Sequence, residues 1–195
     1  MVRFFFTQSF SFSAFLFLRP LVASTLIFAG SSLAQEYDRR EWLPHWSDVD
    51  RDCQDTRHEL LIRHSLAPVV FTGRSQCKVA FGLWLDPYTG NFYEKASDLD
   101  VEHIVPLKWA HDHGAAGWST AQKRKFAEDP DNLWLVDDGR NQSKGDRGPD
   151  RWMPPYGPVR RYYIQRFMAV AEKYNLKSSA EELHIYLALL ESRQG

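Results

Sequence analysis

Hydrophobic positions divide the chain into segments of three kinds. A short helical pattern comes first: Leu60, Leu61 and Ile62 face inward among charged neighbours, which predicts a helix from about Asp50 to Ser65, with Ser47 able to cap it. Runs rich in β-branched and aromatic residues follow. Val69 to Thr72 and Lys78 to Leu85 read as strands, and the turn Asp86-Pro87-Tyr88-Thr89-Gly90 makes Cys77 to Tyr93 a hairpin. Leu99 to Val105 reads as another strand, limited by Pro106, and Asn132 to Val136 as a further one. The connection between them, Leu107 to Glu128, has helical content at Thr120 to Ala127, and a short helix is expected over Asn141 to Lys144. Glycines and prolines from Gly148 to Pro158 mark a loop. Two helices close the chain, about Val159 to Tyr174 and Ala180 to Ser192, and Ser179 with Glu182 forms a capping box for the second. Residues 36–48, aromatic and proline-containing, are expected to pack irregularly over the body.

The first 34 residues depart from this pattern. Arg3 precedes a Phe-rich run, Leu21 to Gly30 is apolar, and Ser32-Leu33-Ala34 places small residues where a signal peptidase acts. Residues 1–34 therefore read as a signal peptide. Residues 35–195 form one domain, of a size common for single cores. No later segment is apolar enough to span a membrane, so the processed chain is expected free of membrane, outside the cytoplasm (secreted or periplasmic), and monomeric. In that setting the two cysteines, Cys53 and Cys77, are expected to form a disulfide. Aromatic residues make up 14% of the chain, which excludes a disordered polymer.

Charge complicates the picture. Removing the leader takes Arg3 and Arg19 from the 24 bases and nothing from the 25 acids, leaving 22 against 25. A nucleic-acid binder is more often basic. Local distribution differs: between Arg140 and Arg166 lie seven bases (Arg140, Lys144, Arg147, Arg151, Arg160, Arg161 and Arg166) and two acids, Asp146 and Asp150.

Candidate chemistry gathers in three ordered segments. The first, Asp98 to Pro106, ends its strand in Glu102-His103; the second is Asp131-Asn132-Leu133; the third, Gly139 to Gly145, carries Asn141 and Lys144. EHIVP, DNLWLVD and NQSKGD in this order resemble the motifs of HNH (His-Me finger, ββα-metal) nucleases. They are similar to those of the HNH domain of the RNA-guided CRISPR nuclease. They lie closer to secreted bacterial HNH proteins with a GmrSD-like C-terminal domain. That second resemblance also takes in WSDVDRDC, GLW, DPYTG and Trp152-Met153-Pro154.

The resemblance implies an α+β fold: a ββα-metal core over about 98–147, an N-terminal helix and hairpin, and C-terminal helices. It implies an endonuclease cutting phosphodiester bonds, DNA more than RNA, with weak sequence selectivity. His103 is then the general base. Glu102 and Asn141 are ligands to one divalent cation (Mg²⁺ foremost, Mn²⁺ or Ca²⁺ in its place), and Asn132 holds the loop and the histidine. The chemistry agrees, because hydrolysis needs a base near neutrality and a cation to neutralise phosphate, and oxygen donors suit a hard cation. Lys144 and Arg147 are expected at substrate phosphates.

Three alternatives stay open. Relatives more often carry Asp before the histidine, which leaves Asp100 as a second candidate ligand. A non-catalytic nucleic-acid or metal-binding module on the same scaffold is one rival function, and an exported hydrolase of cell-wall material is another. His111-Asp112-His113 reads as exposed loop. Tyr162, Tyr163 and Phe167 read as core, and Arg57 as helix-surface charge.

Overall fold

A computed structural model describes residues 35–192; the leader expected over 1–34 lies outside them. The described residues form seven α-helices and five strands in a mixed α+β arrangement. In chain order these are α1 (Arg39–Trp42), α2 (Thr56–His64), β1 (Val70–Phe71), β2 (Val79–Leu85), β3 (Phe92–Lys95), β4 (Leu99–His103), α3 (Leu107–Ala110), α4 (Thr120–Ala127), β5 (Leu133–Asp137), α5 (Asp138–Lys144), α6 (Arg160–Lys173) and α7 (Ala180–Glu191). No helix among the described residues is long and apolar enough to cross a membrane.

Two sheets organise the chain. The first is an antiparallel meander, β1-β2-β3. The second is an antiparallel ribbon, β4-β5, in which Leu99 faces Asp137, Glu102 faces Trp134 and His103 faces Leu133. A two-stranded ribbon is marginal alone and needs cover. It is covered by two apolar clusters. Leu99, Val101, Leu133 and Leu135 pack with Leu60, Leu61 and Trp84. Ile104, Val105 and Val136 join a larger cluster with Trp42, Tyr88, Phe126, Tyr163 and Phe167.

Local chemistry explains most boundaries. α4 and α7 open on capping boxes, Ser119 with Gln122 and Ser179 with Glu182. α5 is capped by Asp137, whose carboxylate accepts from the Arg140 amide at 2.8 Å. It stops at Gly145, which adopts a positive φ of 59° that a side chain would resist. α2 starts later than the sequence pattern suggests. Its cap is Asp55, not Ser47, whose hydroxyl instead donates to Glu128 at 2.9 Å. Segment 36–48 is not wholly irregular, because Asp38 caps the single turn α1 and Trp42 is fully buried. Arg57 is also not a free surface charge: its guanidinium donates to the Ala96 and Leu99 carbonyls, both at 2.8 Å, and ties α2 to the start of β4.

The Cys53–Cys77 disulfide forms, joining the turn before α2 to the entry of β2. The connection after β4 departs most from expectation. Instead of exposed loop, His111 is buried, with Nε2 donating to the Gln35 carbonyl at 2.7 Å. His113 stacks on Trp109 and bonds to Glu182 of α7 at 3.0 Å. Tyr163 and Phe167 are core, whereas Tyr162 is 54% exposed.

Candidate active site

β4 runs out at His103, and the chain is then gripped by Asn132. The Asn132 side chain, fully buried, accepts from the Val105 amide at 2.8 Å and donates to the Val105 carbonyl at 3.1 Å. Its own carbonyl accepts from the Ile104 amide at 2.9 Å. Val105 therefore has both backbone polar groups matched by one amide side chain, which such a group needs once removed from water. This clamp fixes the chain direction directly after His103.

His103 is itself buried between two fixed partners. Trp46 stacks on the imidazole at 5.7 Å between centroids, and Nε2 lies 2.7 Å from the Ala127 carbonyl at the end of α4. A carbonyl only accepts, so Nε2 carries the proton and Nδ1 keeps its lone pair. Burial pushes the imidazole pKa down to about 3, with the Arg39 and Lys144 charges adding to the effect and the Ala127 bond opposing it. The ring is neutral at neutral pH.

Glu102 is buried beside it, and its Oε1 accepts from the Lys144 ammonium and, at 3.4 Å, from the Tyr88 hydroxyl. Tyr88 is held in the turn after β2 by Asp86, whose carboxylate accepts from the Tyr88 amide at 2.9 Å and the Thr89 amide at 3.0 Å. Gly90 closes that turn at φ 74°, and a Cβ there would lie 2.8 Å from the Tyr156 ring. Burial raises the Glu102 pKa and lowers that of Lys144, and their mutual attraction opposes both shifts.

Lys144 is thus fully buried under the strand, with a second bond to the His103 carbonyl at 2.9 Å. Its ammonium, expected at a substrate phosphate, is here held by a carboxylate and a carbonyl instead. Arg147 does not line the cleft that holds Glu102 and His103; its Nε donates to the Lys144 carbonyl at 2.9 Å.

Asn141, on α5, donates through Nδ2 to Asp100 Oδ2 at 3.0 Å, which leaves its Oδ1 available as an acceptor or ligand. Glu102, His103 and Asn141 line one cleft of about 220 Å³, together with Tyr37, Arg39, Lys108 and Asp146. The structure therefore gathers three predicted residues in one cleft, and puts Asn132 and Lys144 behind it as supports. Sequence reasoning missed Trp46, Tyr88 and the Ala127 carbonyl. Tyr88 was visible only as part of a turn, and a backbone carbonyl leaves no signal.

Residues 56–188 match the family model for the C-terminal domain of GmrSD restriction endonucleases. The chain belongs to this family. The matched span takes in β4, β5 and α5, and with them Glu102, His103, Asn132, Asn141 and Lys144. A protein of Arthroderma benhamiae named "Uncharacterized secreted protein" is 36% identical over 153 residues, which cover 77% of this chain and 73% of the relative. That relative is fungal, so the resemblance is not restricted to bacterial proteins. No solved structure matches the chain. As a member of the GmrSD C-terminal family the chain is a nuclease-type domain of mixed α+β fold, and the family uses a divalent cation.

Proposed function

We propose that this GmrSD C-terminal-type domain is an exported, metal-dependent endonuclease with a ββα-metal core over about 98–147, acting on DNA with weak sequence selectivity. Residues 1–34 are its leader and 35–195 its single domain. The observation that carries the reading is the His103 tautomer: the Nε2 proton is committed to Ala127, so the unprotonated Nδ1 belongs to a ring that lines the Glu102–Asn141 cleft. Nδ1 of this neutral ring is the atom left to take a proton from water; with a pKa lowered by burial it is a weak base alone, and its action relies on a bound cation to make the water more acidic.

The donors fit a hard divalent cation. Glu102 supplies a carboxylate of which one oxygen is engaged by Lys144 and Tyr88, and Asn141 supplies an amide oxygen oriented by Asp100. An all-oxygen set of one carboxylate and one amide, completed by water and phosphate, suits Mg²⁺, with Mn²⁺ or Ca²⁺ as substitutes. When bound, such a cation neutralises charge at the phosphate and at the leaving oxygen. The remaining work falls to the protein: His103 holds and moves the proton, Trp46 and Ala127 orient it, Asn132 fixes the loop, and Lys144 keeps Glu102 ionised and in place. The disulfide and the secreted relative support action outside the cytoplasm.

Plasmid and single-stranded DNA incubated with Mg²⁺ or Mn²⁺, and with EDTA, test this reading. Cutting that depends on the cation and vanishes in His103→Ala is the expected result. Cutting that persists in EDTA, or in His103→Ala, would refute the mechanism.

A further inference from the structure

Most of the charges that the sequence suggested for the substrate backbone bond to the protein itself, and Arg151 pairs with Asp150. Arg160 donates to the Pro154 carbonyl at 2.8 Å, Arg161 to the Leu190 carbonyl at 2.5 Å and Arg166 to the Asp131 carbonyl at 2.9 Å. With Lys144 buried and Arg147 tied to the end of α5, the basic stretch 140–166 works largely as a set of carbonyl caps. A phosphodiester entering the cleft meets acids at Glu102 and Asp146, so its own charge needs a cation from the opposite wall. The basic side chains lining the cleft, besides the buried Lys144 behind it, are Arg39 and Lys108. Lys108 is already paired with Asp112 at 2.6 Å.

Arg39 is exposed and lies beside the Tyr37 hydroxyl, close enough for its charge to be felt at His103. It stands on an anchored segment. Trp42, three residues on, is fully buried against Phe126 and Trp118. Glu41 pairs with Lys123 at 2.5 Å, and the Gln35 carbonyl is bonded by His111. This segment precedes the 56–188 span that matches the family, so the family match does not account for it.

We propose that Arg39 is a phosphate-binding residue, its guanidinium donating to a non-bridging oxygen of the phosphodiester held at His103, and that Tyr37 and Arg39 form one wall of the active site. Guanidinium geometry suits a tetrahedral oxyanion, with paired donors that a lysine lacks. The inference rests on the nuclease reading above.

The test compares Arg39→Ala and Arg39→Lys with Arg40→Ala, a control whose side chain is solvent-exposed and paired with Asp38, neither residue lining the cleft. Cleavage of plasmid DNA with Mg²⁺ is measured. Binding of a fluorescein-labelled oligonucleotide in Ca²⁺ is followed across salt concentrations, in a His103→Ala background. Arg39→Ala should lower kcat/KM by about 10–100-fold, as for loss of a charged hydrogen bond, and reduce the slope of log affinity against log salt by about one. Arg39→Lys should recover part of the activity, and Arg40→Ala should match the parent. All three should melt with the parent, since neither arginine is buried; a purely structural role would move Tm and leave the salt slope alone. If Arg39→Ala behaves like Arg40→Ala while the parent cuts, the assignment falls and the nuclease reading stands. A parent that neither cuts nor binds nucleic acid with any of these cations overturns both.

Discussion

Replacing Lys144 with Met removes the ammonium from a pair that has almost no contact with water: the lysine is fully buried and Glu102 is 5% exposed. The methionine fills most of the volume, so the change is chiefly electrostatic. Glu102 is left with the Tyr88 hydroxyl, 3.4 Å away, as its main side-chain donor, and the His103 carbonyl loses a partner. Removing one member of a buried pair typically costs about 3–5 kcal/mol, because the survivor stays desolvated. Glu102 can escape part of that penalty by taking a proton, since burial already raises its pKa. The loss should therefore shrink as pH falls. Glu102→Gln alone should cost less, since an amide oxygen can still accept from Lys144. The double variant should recover about 2 kcal/mol or more of the sum of the single losses. Urea unfolding followed by tryptophan fluorescence, in EDTA, measures this. With an m-value of about 2 kcal/mol/M, Lys144→Met should move the midpoint down by about 1.5–2.5 M. A cation held by Glu102 would substitute for the missing charge, so Mg²⁺ should stabilise Lys144→Met more than it does the parent. An additive cycle, or a loss under about 1 kcal/mol in Lys144→Met, would refute the premise that the pair is buried and mutually dependent.

The buried His103 should make stability depend on pH. Its folded pKa of about 3 lies below the ordinary 6.5, so the unfolded chain binds a proton first. The contribution is complete above pH 6.5 and lost as pH falls toward 3, by at most about 5 kcal/mol at 1.36 kcal/mol per unit. Unfolding midpoints from pH 7 to 4 should fall more steeply for the parent than for His103→Asn; parallel curves would count against a buried neutral ring. Opening the disulfide with Cys53→Ser/Cys77→Ser frees a loop closed over a sequence separation of 24 and should cost about 3 kcal/mol, seen as a lower Tm that the parent reproduces in reductant. Asn132→Leu leaves the amide and carbonyl of Val105 without their partners, at about 1–3 kcal/mol each. Its kcat should drop more than its stability explains, and a variant with parental kcat would show that the clamp does not position His103.

Local signals carried much of this fold into view. The helices expected at Thr120 to Ala127, Val159 to Tyr174 and Ala180 to Ser192 correspond closely to α4, α6 and α7, the last marked by its capping box, and β-branched and aromatic content with a strong turn marked the β2–β3 hairpin. The α2 start was misplaced because Ser47, the cap expected from sequence, is engaged by Glu128, 81 residues away, and Asp55 caps the helix instead. The site was legible as types in order: an acid and histidine ending one strand, an asparagine opening the next, an asparagine and lysine on the following helix. What order could not give was direction. Lys144 and the arginines that follow it have the composition of a phosphate-binding face. Most of their side chains turn inward or fold back, however, because the Glu102 carboxylate of β4 and carbonyls of β4, α5, α7 and the connecting loops accept from them. Arg39 escaped notice for the opposite reason, since it sits in an aromatic segment with no periodic pattern.

The arrangement also explains how a two-stranded ribbon, marginal on its own, can hold the polar cleft in a fixed geometry. Three polar groups of the cleft, those of His103, Glu102 and Asn141, are each fixed by an element other than the one that carries them. His103 on β4 is held by the end of α4, Glu102 on β4 by Lys144 of α5 and by Tyr88 of the hairpin turn, and Asn141 on α5 by Asp100 of β4. Misplacing any one element would leave a buried donor or acceptor unpaired, at about 1–3 kcal/mol each. The same bonds that select this packing among alternatives therefore also set the orientation of the centre. Little ordering remains for substrate binding, because the rotamers of the reacting groups are already restricted by folding. The marginal ribbon is the part of the chain on which most of these contacts converge, which places its stability and the geometry of the site under one set of interactions.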